Sequence, residues 1–294
     1  MPFTDDPNLI APEDPDCTIW RYMDITKFLS LIDKSKLFFV RIDRLMKDDA
    51  YEGFFSDFNV QFGNEDSEIH KQLDNLRAEL IEKVESTKIK MMQEESKSSE
   101  EAEKWGEKEL DNFDKQRSNI YLSNKWIPND MKKFHDKVFI DSWHIQEHES
   151  AAMWKLYAGN ASGIAIESSY NRLKNSLKSC NEYQVNIGTV KYMDYRRNYI
   201  PVHYPLSVFL HKRKSFEHEK ELRALVMATS SRDSIEYKDI FGIEVSIVLE
   251  ELINRIFVSP TAEPWILQLL QSVIKRYKLD KEIVQSDLIS KPIY

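Results

Sequence analysis

The sequence predicts an α+β protein with a mixed or antiparallel sheet and a charged helical hairpin as an insertion. Short apolar runs of strand length alternate with amphipathic helix patterns along most of the 294 residues. One central run, Ile164–Ile166, is apolar at three consecutive positions, as in a strand buried on both faces. With 41% hydrophobic and 12% aromatic residues, the chain can form a sizeable core.

The composition limits the classes of protein to which the chain can belong. We predict that residues 1–18 form an irregular lead-in, because they are acidic and rich in proline. They resemble neither a signal peptide nor a transit peptide. No apolar run approaches the roughly 18 residues that a membrane helix needs. Cys17 and Cys180 are too few for a disulfide framework, so we expect a reduced, cytoplasmic protein without membrane contact. The net charge of −8 disfavours broad binding of nucleic-acid phosphates, although a local basic groove, and nucleic acid as an acceptor, stay open.

The first elements follow from local patterns. A strand is predicted at Ile19–Met23, and Asp24 is a suitable N-cap for a helix at Ile25–Lys34. That helix places Phe28, Leu31 and Ile32 on one buried face. A strand at Leu37–Ile42 and an Asp-rich loop at Arg44–Gly53 come next.

Residues 64–117 differ from the rest of the chain. They have no proline, one glycine (Gly106) and most of the chain's net negative charge. Ile69, Leu73, Leu76 and Leu80 recur at helical spacing, and Trp105, Leu110 and Phe113 indicate a second helix. We predict a helical hairpin that is either a solvated structural arm or a surface for a protein partner or for self-association.

The remaining segments again alternate between strands and helices. Residues 19–63 and 118–294 are therefore predicted to form one α+β domain that the hairpin interrupts. We predict strands at Val138–His144, Gly163–Glu167, Val185–Tyr192, Glu219–Ala228, Glu244–Ile247, Arg255–Val258 and Ile283–Ser286, and helices at Ser150–Tyr157, Tyr170–Ser179, Pro205–Phe216, Leu249–Ile253 and Pro264–Tyr277.

The most informative pattern is the charged start of the strand at Glu219–Ala228. Side chains alternate between the faces of a strand, so Glu219, Glu221 and Arg223 are expected on one face. Leu222, Ala224 and Val226 fall on the other face. The charged face forms either an exposed ladder of ion pairs or the wall of a cleft.

A second motif, His144-Ile145-Gln146-Glu147-His148, matches the H-x-x-E-H pattern of inverted zinc proteases. Two histidines four apart on a helix could hold zinc, and Glu147 could act as base. However, His144 ends a predicted strand and the helix is expected to begin at Glu149-Ser150. We therefore expect no metal, and a zinc hydrolase is the third hypothesis. Gly-x-Gly-x-x-Gly and Walker patterns are both missing from the sequence.

Several blocks of the chain form a recognisable set when taken together. The blocks are Ile19–Tyr22, Phe28–Leu31, Lys36–Phe39, Asp48–Gly53, Ser142–His144, Glu149-Ser150, Met153-Trp154, Tyr157, Gly163–Ile166 and Phe216–Ala224. They resemble a bacterial family, domain-of-unknown-function family 2971 (DUF2971). The resemblance runs from about Ile19 to Pro260, apart from the helical insertion, and it implies no established activity.

A more distant resemblance suggests a mechanism. Arg21 on the first strand, Ser142 on a middle strand and Glu219-Lys220-Glu221 at a last strand are similar to the motifs of ADP-ribosyltransferase folds. This resemblance implies that Arg21 binds NAD and that Ser142 and Trp143 shape the nicotinamide pocket. Glu221 would stabilise the oxocarbenium-like transition state, while Glu219 orients or deprotonates the acceptor. Tyr22 and Arg223 are further candidates for NAD binding.

Two hypotheses of different classes follow. The first is an NAD-using ADP-ribosyltransferase-like enzyme, such as a toxin or phage-defence effector, with NAD as substrate. The second is a non-catalytic module that senses a ligand or partner in bacterial defence or stress and makes contact through the helical arm.

Overall fold

The computed structural model describes residues 9–93, 97–125, 131, 134–158, 162–202, 204–228 and 240–289. The fold is α+β with a mixed sheet, as the sequence predicts. Residues 1–8 of the predicted lead-in, and residues 94–96 between the two predicted hairpin helices, lie outside the described residues. The chain divides into two compact units. Unit 1 comprises residues 1–53, 134–193 and 209–294, and unit 2 comprises residues 54–133 and 194–208.

Within its described residues, unit 1 contains a nine-stranded sheet. Its strands are β1 (Thr18–Asp24), β2 (Lys36–Arg41), β3 (Val138–Ile145), β4 (Gly163–Ser169), β5 (Val185–Thr189), β8 (Glu221–Met227), β9 (Gly242–Ser246), β10 (Arg255–Val258) and β11 (Glu282–Gln285). The main path runs β11-β10-β4-β1-β3-β2-β9, while β8 joins β3 and β5 joins β8. The pairs are antiparallel except for β10 with β11. A separate two-stranded parallel sheet pairs β6 (Lys191–Met193) with β7 (His211–Arg213).

Strand β3 is the point at which the sheet branches. One edge pairs with β8 over its whole length, from Val138↔Met227 to His144↔Glu221. The other edge pairs with β2 at Ile140 and with β1 at His144. Strands β1 and β2 therefore diverge, and among the described strands none pairs with residues 141–143 on that edge.

The sheet has one face packed on the main core. Leu222, Ala224 and Val226 of β8 point to this face and are fully buried, which confirms the predicted alternation. Helix α1 (Ile25–Lys34) covers the same core through Phe28, Leu31 and Ile32, and the Asp24 carboxylate accepts a hydrogen bond from the Lys27 backbone N–H. Both features were predicted from local sequence. The other α-helices in the described part of unit 1 are α5 (Ala151–Tyr157), α6 (Tyr170–Ser176), α7 (Leu249–Leu252) and α8 (Pro264–Arg276).

Two predicted elements outside the helical hairpin differ from the structure. The predicted helix at Pro205–Phe216 is instead a 3-10 turn at Ser207–Leu210, strand β7, and a second 3-10 helix at Lys214–Glu219. Pairing of β7 with β6 supplies hydrogen bonds that the isolated helical pattern does not anticipate. The predicted strand at Val185–Tyr192 is interrupted at Val190, where the backbone N–H bonds to the Glu221 carbonyl.

Unit 2 is built from α2 (Asp57–Phe62), α3 (Glu68–Gln93) and α4 (Ser99–Lys125). Helices α3 and α4 form an antiparallel pair. Arg77 pairs with Asp114 and Lys88 with Glu103, so residue numbers increase along α3 in the direction in which they decrease along α4. The predicted helices are thus present. The Asn59 amide, which is buried, donates to Asn124 Oδ1 and accepts from the Ile200 N–H. These hydrogen bonds connect helix α2 to α4 and to the segment of residues 194–208, which belongs to the same unit.

Candidate functional site

The predicted charged face exists, but its geometry differs from a simple strand alternation. Strand β8 begins at Glu221, not at Glu219. Glu219 ends the preceding 3-10 helix, and Lys220 has a left-handed backbone with φ of 40°. This turn redirects the chain, so that Glu219 approaches Glu221 from a different element.

Glu221 occupies the centre of a buried cluster. Its Oε2 accepts from Ser142 Oγ at 2.8 Å and from Arg223 Nε at 2.7 Å. Its Oε1 accepts from Lys212 Nζ at 2.8 Å and from Arg223 Nη2 at 3.1 Å. Because a carboxylate offers about four acceptor sites, these contacts satisfy Glu221 fully.

The sequence did not point to two members of this cluster. Glu52 receives Arg223 Nη1 and Nη2 at 2.6 and 3.0 Å, which is a bidentate pair. Lys212, which lies on β7, binds Glu219 and Glu221 and lies 3.7 Å from Glu52. The sequence features that contain these two residues are the Asp-rich loop Asp48–Gly53 and the basic run Lys212–Lys214. Neither feature shows that Glu52 pairs with Arg223, or that Lys212 pairs with the carboxyl groups.

Burial rules out the exposed ladder of ion pairs. The exposed fractions are 7% for Glu219, 7% for Glu221 and 1% for Arg223. Strand β8 also lies between β3 and β5, so it is not an edge strand. Charged groups at such depth need partners, and here they find them in one another.

A count of charges identifies the unusual member of the cluster. Among the described residues, the three carboxyl groups Glu52, Glu219 and Glu221 form ion pairs with two cations, Lys212 and Arg223. Burial, and then the hydrogen bond and charge of Glu221, raise the pKa of Glu219. Although burial acts in the opposite direction, the charges of Arg223 and Lys212 hold the pKa of Glu221 well below its usual range. The surroundings therefore favour the ionised form of Glu221 and disfavour the ionised form of Glu219.

Tyr157 connects Glu219 to the surface. Its hydroxyl donates to Glu219 Oε1 at 2.7 Å, and the residue is 48% exposed. Burial, and then the bond to Glu219, raise the pKa of Tyr157, so the phenol stays protonated. The Glu219 backbone carbonyl bonds to His144 Nδ1, and the Glu221 N–H donates to Tyr192 Oη at 2.8 Å.

The structure separates the predicted site residues between the two faces of the sheet. Ser142 lies with Glu221 on the cluster face, whereas Arg21 pairs with Asp141 and lies over the Trp143 ring on the core face. Asp141 also accepts from Trp143 Nε1 at 2.8 Å.

Arg21 has an evident structural role at the branch of the sheet. Its guanidinium donates to the Ser142 carbonyl at 3.2 Å and reaches the Phe38 carbonyl at 3.5 Å. The Ser142 carbonyl belongs to the section of β3 that lies between β1 and β2. Arg21 thus supplies a hydrogen bond where a neighbouring strand would otherwise supply one.

Tyr22 lies on the cluster face within a row of aromatic residues. Its ring packs edge-on against Trp154 at 5.2 Å and lies 6.4 Å from His144. Its hydroxyl accepts from the Ser150 N–H at 2.7 Å, which fixes the start of α5.

The H-x-x-E-H motif does not form a helical zinc site. His144 lies in β3, which ends at Ile145, and Ser150 caps α5, as expected from the sequence. Glu147 and His148 are exposed between these elements. Among the described residues, no group of three or more His, Cys, Asp or Glu side chains is arranged to hold a metal ion.

A cavity of about 420 Å³ lies elsewhere in unit 1. Its lining includes Gln271 and Ile274 of α8, Lys278 of the segment that follows, and Ile283 of β11, and no member of the carboxylate cluster lines it. Across the described part of the chain, no helix is long and apolar enough to cross a membrane.

No family model, curated protein or solved structure matches the chain.

Proposed function

We propose that the chain is an enzyme that cleaves the glycosidic bond between nicotinamide and ribose in NAD and transfers the ADP-ribosyl group, acting in the cytoplasm as a bacterial toxin or phage-defence effector. The observation that carries this proposal is the pair Glu219 and Glu221, whose surroundings move the two pKa values in opposite directions. Neighbouring titratable groups with divergent pKa values are the usual basis of acid–base catalysis.

The proposed reaction balances with one proton. The C1′–N bond breaks, and its electron pair neutralises the departing pyridinium nitrogen. An acceptor hydroxyl forms a C1′–O bond and gives its proton to the Glu219 carboxylate. A raised pKa makes Glu219 a better base near neutral pH than an ordinary glutamate.

The other predicted residues take supporting roles in this proposal. Ser142 and Arg223 hold the anionic Glu221, and Lys212 joins the two carboxyl groups. We assign Arg21 and Trp143 a structural role on the opposite face. Lys212 and Arg223 already form ion pairs within the cluster, so the NAD diphosphate would need another cation. Lys214, which is exposed and lies on the same 3-10 helix as Glu219, is suited to that task.

A second candidate is the non-catalytic sensing module. It is favoured by the separation of Arg21 from Glu221 and by the complete hydrogen bonding of Glu221. In that case the helical arm would provide the contact surface. Its exposed apolar residues are Leu76, Ile81, Ile89, Met92, Ile120 and Leu122. We also keep membership of DUF2971 as a proposal, on the blocks given above.

Release of nicotinamide from NAD distinguishes the two candidates. The purified chain should release nicotinamide, and Glu219→Gln should reduce the rate by about 100-fold or more, the range of a general base. Glu217→Gln is the matched control, since Glu217 is exposed on the same 3-10 helix and should leave the rate unchanged. A folded wild-type chain that releases no nicotinamide with water or any tested acceptor would favour the sensing module.

A further inference from the structure

The contacts of Glu219 differ in how close they lie to the solvent. Its Oε1 accepts from the Tyr157 hydroxyl at 2.7 Å, its Oε2 binds Lys212, and its backbone carbonyl bonds to His144. Glu219, Lys212 and His144 are all buried, whereas Tyr157 is 48% exposed. Among these contacts, Tyr157 is thus the one that reaches the solvent.

The same contacts also differ in how firmly the rest of the structure holds them. Lys212 forms further ion pairs with Glu52 and Glu221, and His144 lies within strand β3. Tyr157 is the last residue of α5, a helix of seven residues. Its side chain forms no other hydrogen bond with the described residues. Tyr157 is therefore the partner that can leave Glu219 without breaking a buried ion pair.

The strength of this single bond sets how often Glu219 is uncovered. A hydrogen bond to a charged group shifts an equilibrium by about 10- to 100-fold. An arrangement in which the bond is broken would then make up roughly 1–10% of the molecules, which is within the range of minor states that proteins use.

We propose that Tyr157 is a lid, held closed by its hydrogen bond to Glu219, and that a molecule from the solvent reaches Glu219 only after the phenol has moved away. In the proposed reaction, the acceptor hydroxyl would meet Glu219 in the open arrangement. The inference rests on the proposed function for that assignment alone, because the covering of Glu219 is tested without NAD. Side chains and loops that open and close over a reacting group limit the rate of many enzymes.

Carbodiimide coupling of a small amine measures how readily each carboxyl group is reached. Glu217 is exposed and lies two residues before Glu219, so the tryptic peptide of residues 215–220 contains both. Tandem mass spectrometry of this peptide gives the ratio of Glu219 to Glu217 coupling. In the wild type, Glu219 should couple at least about 10-fold more slowly than Glu217, because the closed lid covers it in most molecules.

Tyr157→Phe keeps the ring and removes the hydrogen bond, so it should raise the coupling ratio by about 10-fold or more. Tyr157→Ala also removes the ring and should raise the ratio at least as far. Leu156→Ala is the matched control, because Leu156 is exposed on the same helix, and it should leave the ratio unchanged.

Coupling at about pH 4 keeps the comparison to access alone. The pKa of Glu219 is above its usual 4.5, and loss of the Tyr157 donor raises it further, so Glu219 is protonated in every protein compared. Circular dichroism at the same pH checks the fold. An unchanged ratio in folded Tyr157→Phe would overturn the proposal, even if Tyr157→Ala raised the ratio, because the hydrogen bond would then not hold the lid.

The lid and the proposed reaction can fail separately. A higher coupling ratio in Tyr157→Phe, with no release of nicotinamide by the wild type, would remove the enzymatic proposal and keep the lid. Release of nicotinamide by the wild type, with the same coupling ratio in Tyr157→Phe as in the wild type, would do the reverse.

Discussion

At the scale of single residues, the cluster shows how burial changes the behaviour of two similar side chains. Glu219 and Glu221 are two positions apart and equally buried, yet their pKa values move in opposite directions. The difference comes from the partners. Both carboxyl groups bind Lys212, but Glu221 also receives two hydrogen bonds from the charged Arg223, whereas the second donor to Glu219 is the uncharged hydroxyl of Tyr157.

Glu221→Gln tests the structural part of this account. The amide keeps the shape but leaves Arg223 and Lys212 without their shared carboxylate. Loss of one partner from a buried charge network costs about 3–5 kcal/mol, so the free energy of unfolding in urea should fall by about that amount. Glu217→Gln, at an exposed position nearby, should change it by less than about 0.5 kcal/mol. An equally small change for Glu221→Gln would show that the cluster does not hold the fold together.

At the scale of elements, local patterns predicted helices and strands well where neighbours in sequence decide the structure. Asp24 caps α1 as its residue type suggests, and the alternation of Leu222, Ala224 and Val226 sets the core face of β8. The predicted helix at Pro205–Phe216 included Lys212, and this prediction is wrong. Lys212 lies in strand β7, which forms by pairing with β6 about twenty residues earlier in the chain, and a local pattern cannot show that pairing. Glu52 could not be recognised, because its role depends on Arg223 at a separation of 171 residues.

The same limit applies to the faces of the sheet. Fold analogy placed Arg21 with Glu221, yet the two lie on opposite faces, since the orientation of a side chain depends on the register of each strand. Reading that register requires the pairing of β1 with β3 and of β3 with β8.

The helix pair of unit 2 offers a test at the element scale. Gly106 faces α3, and a Cβ there would lie 2.9 Å from Val84 Cγ1 and also meet the end of Lys88. Glycine to alanine inside a helix normally adds about 1 kcal/mol of stability. Here the close contact with Val84 should reverse the sign, because overpacking costs about 1–3 kcal/mol.

Urea unfolding monitored by circular dichroism measures the effect of Gly106→Ala. Ser118→Ala, at an exposed position of the same helix, serves as control and should be neutral or slightly stabilising. If Gly106→Ala stabilised the protein as much as the propensity scale suggests, α3 and α4 would not pack as closely as described.

At the scale of the whole molecule, the cluster should make stability depend on pH. The pKa of Glu219 in the folded chain is above its usual 4.5, so the folded state holds the proton more tightly than the unfolded state. Its contribution to stability is therefore complete below about pH 4.5 and is lost as the pH rises through the folded pKa. The pKa of Glu221 is lowered, so its contribution is present above pH 4.5 and is lost in acid.

Glu219→Gln should remove the first of these effects. The melting temperature of the variant, relative to that of the wild type, should rise as the pH increases from about 4.5 towards 8, because glutamine does not ionise. Glu217→Gln should show no such trend. A difference between Glu219→Gln and the wild type that stays constant across this range would mean that Glu219 titrates normally in the folded chain.

The most direct measurement of the central claim is an NMR titration of the glutamate side-chain carboxyl carbons, assigned with the Gln variants at positions 219 and 221. We predict that Glu219 titrates with a midpoint above 4.5 and that Glu221 stays ionised well below it, while the fold persists. Midpoints for both residues near 4.5 would contradict the account, since the cluster would then shift the pKa of neither carboxyl group.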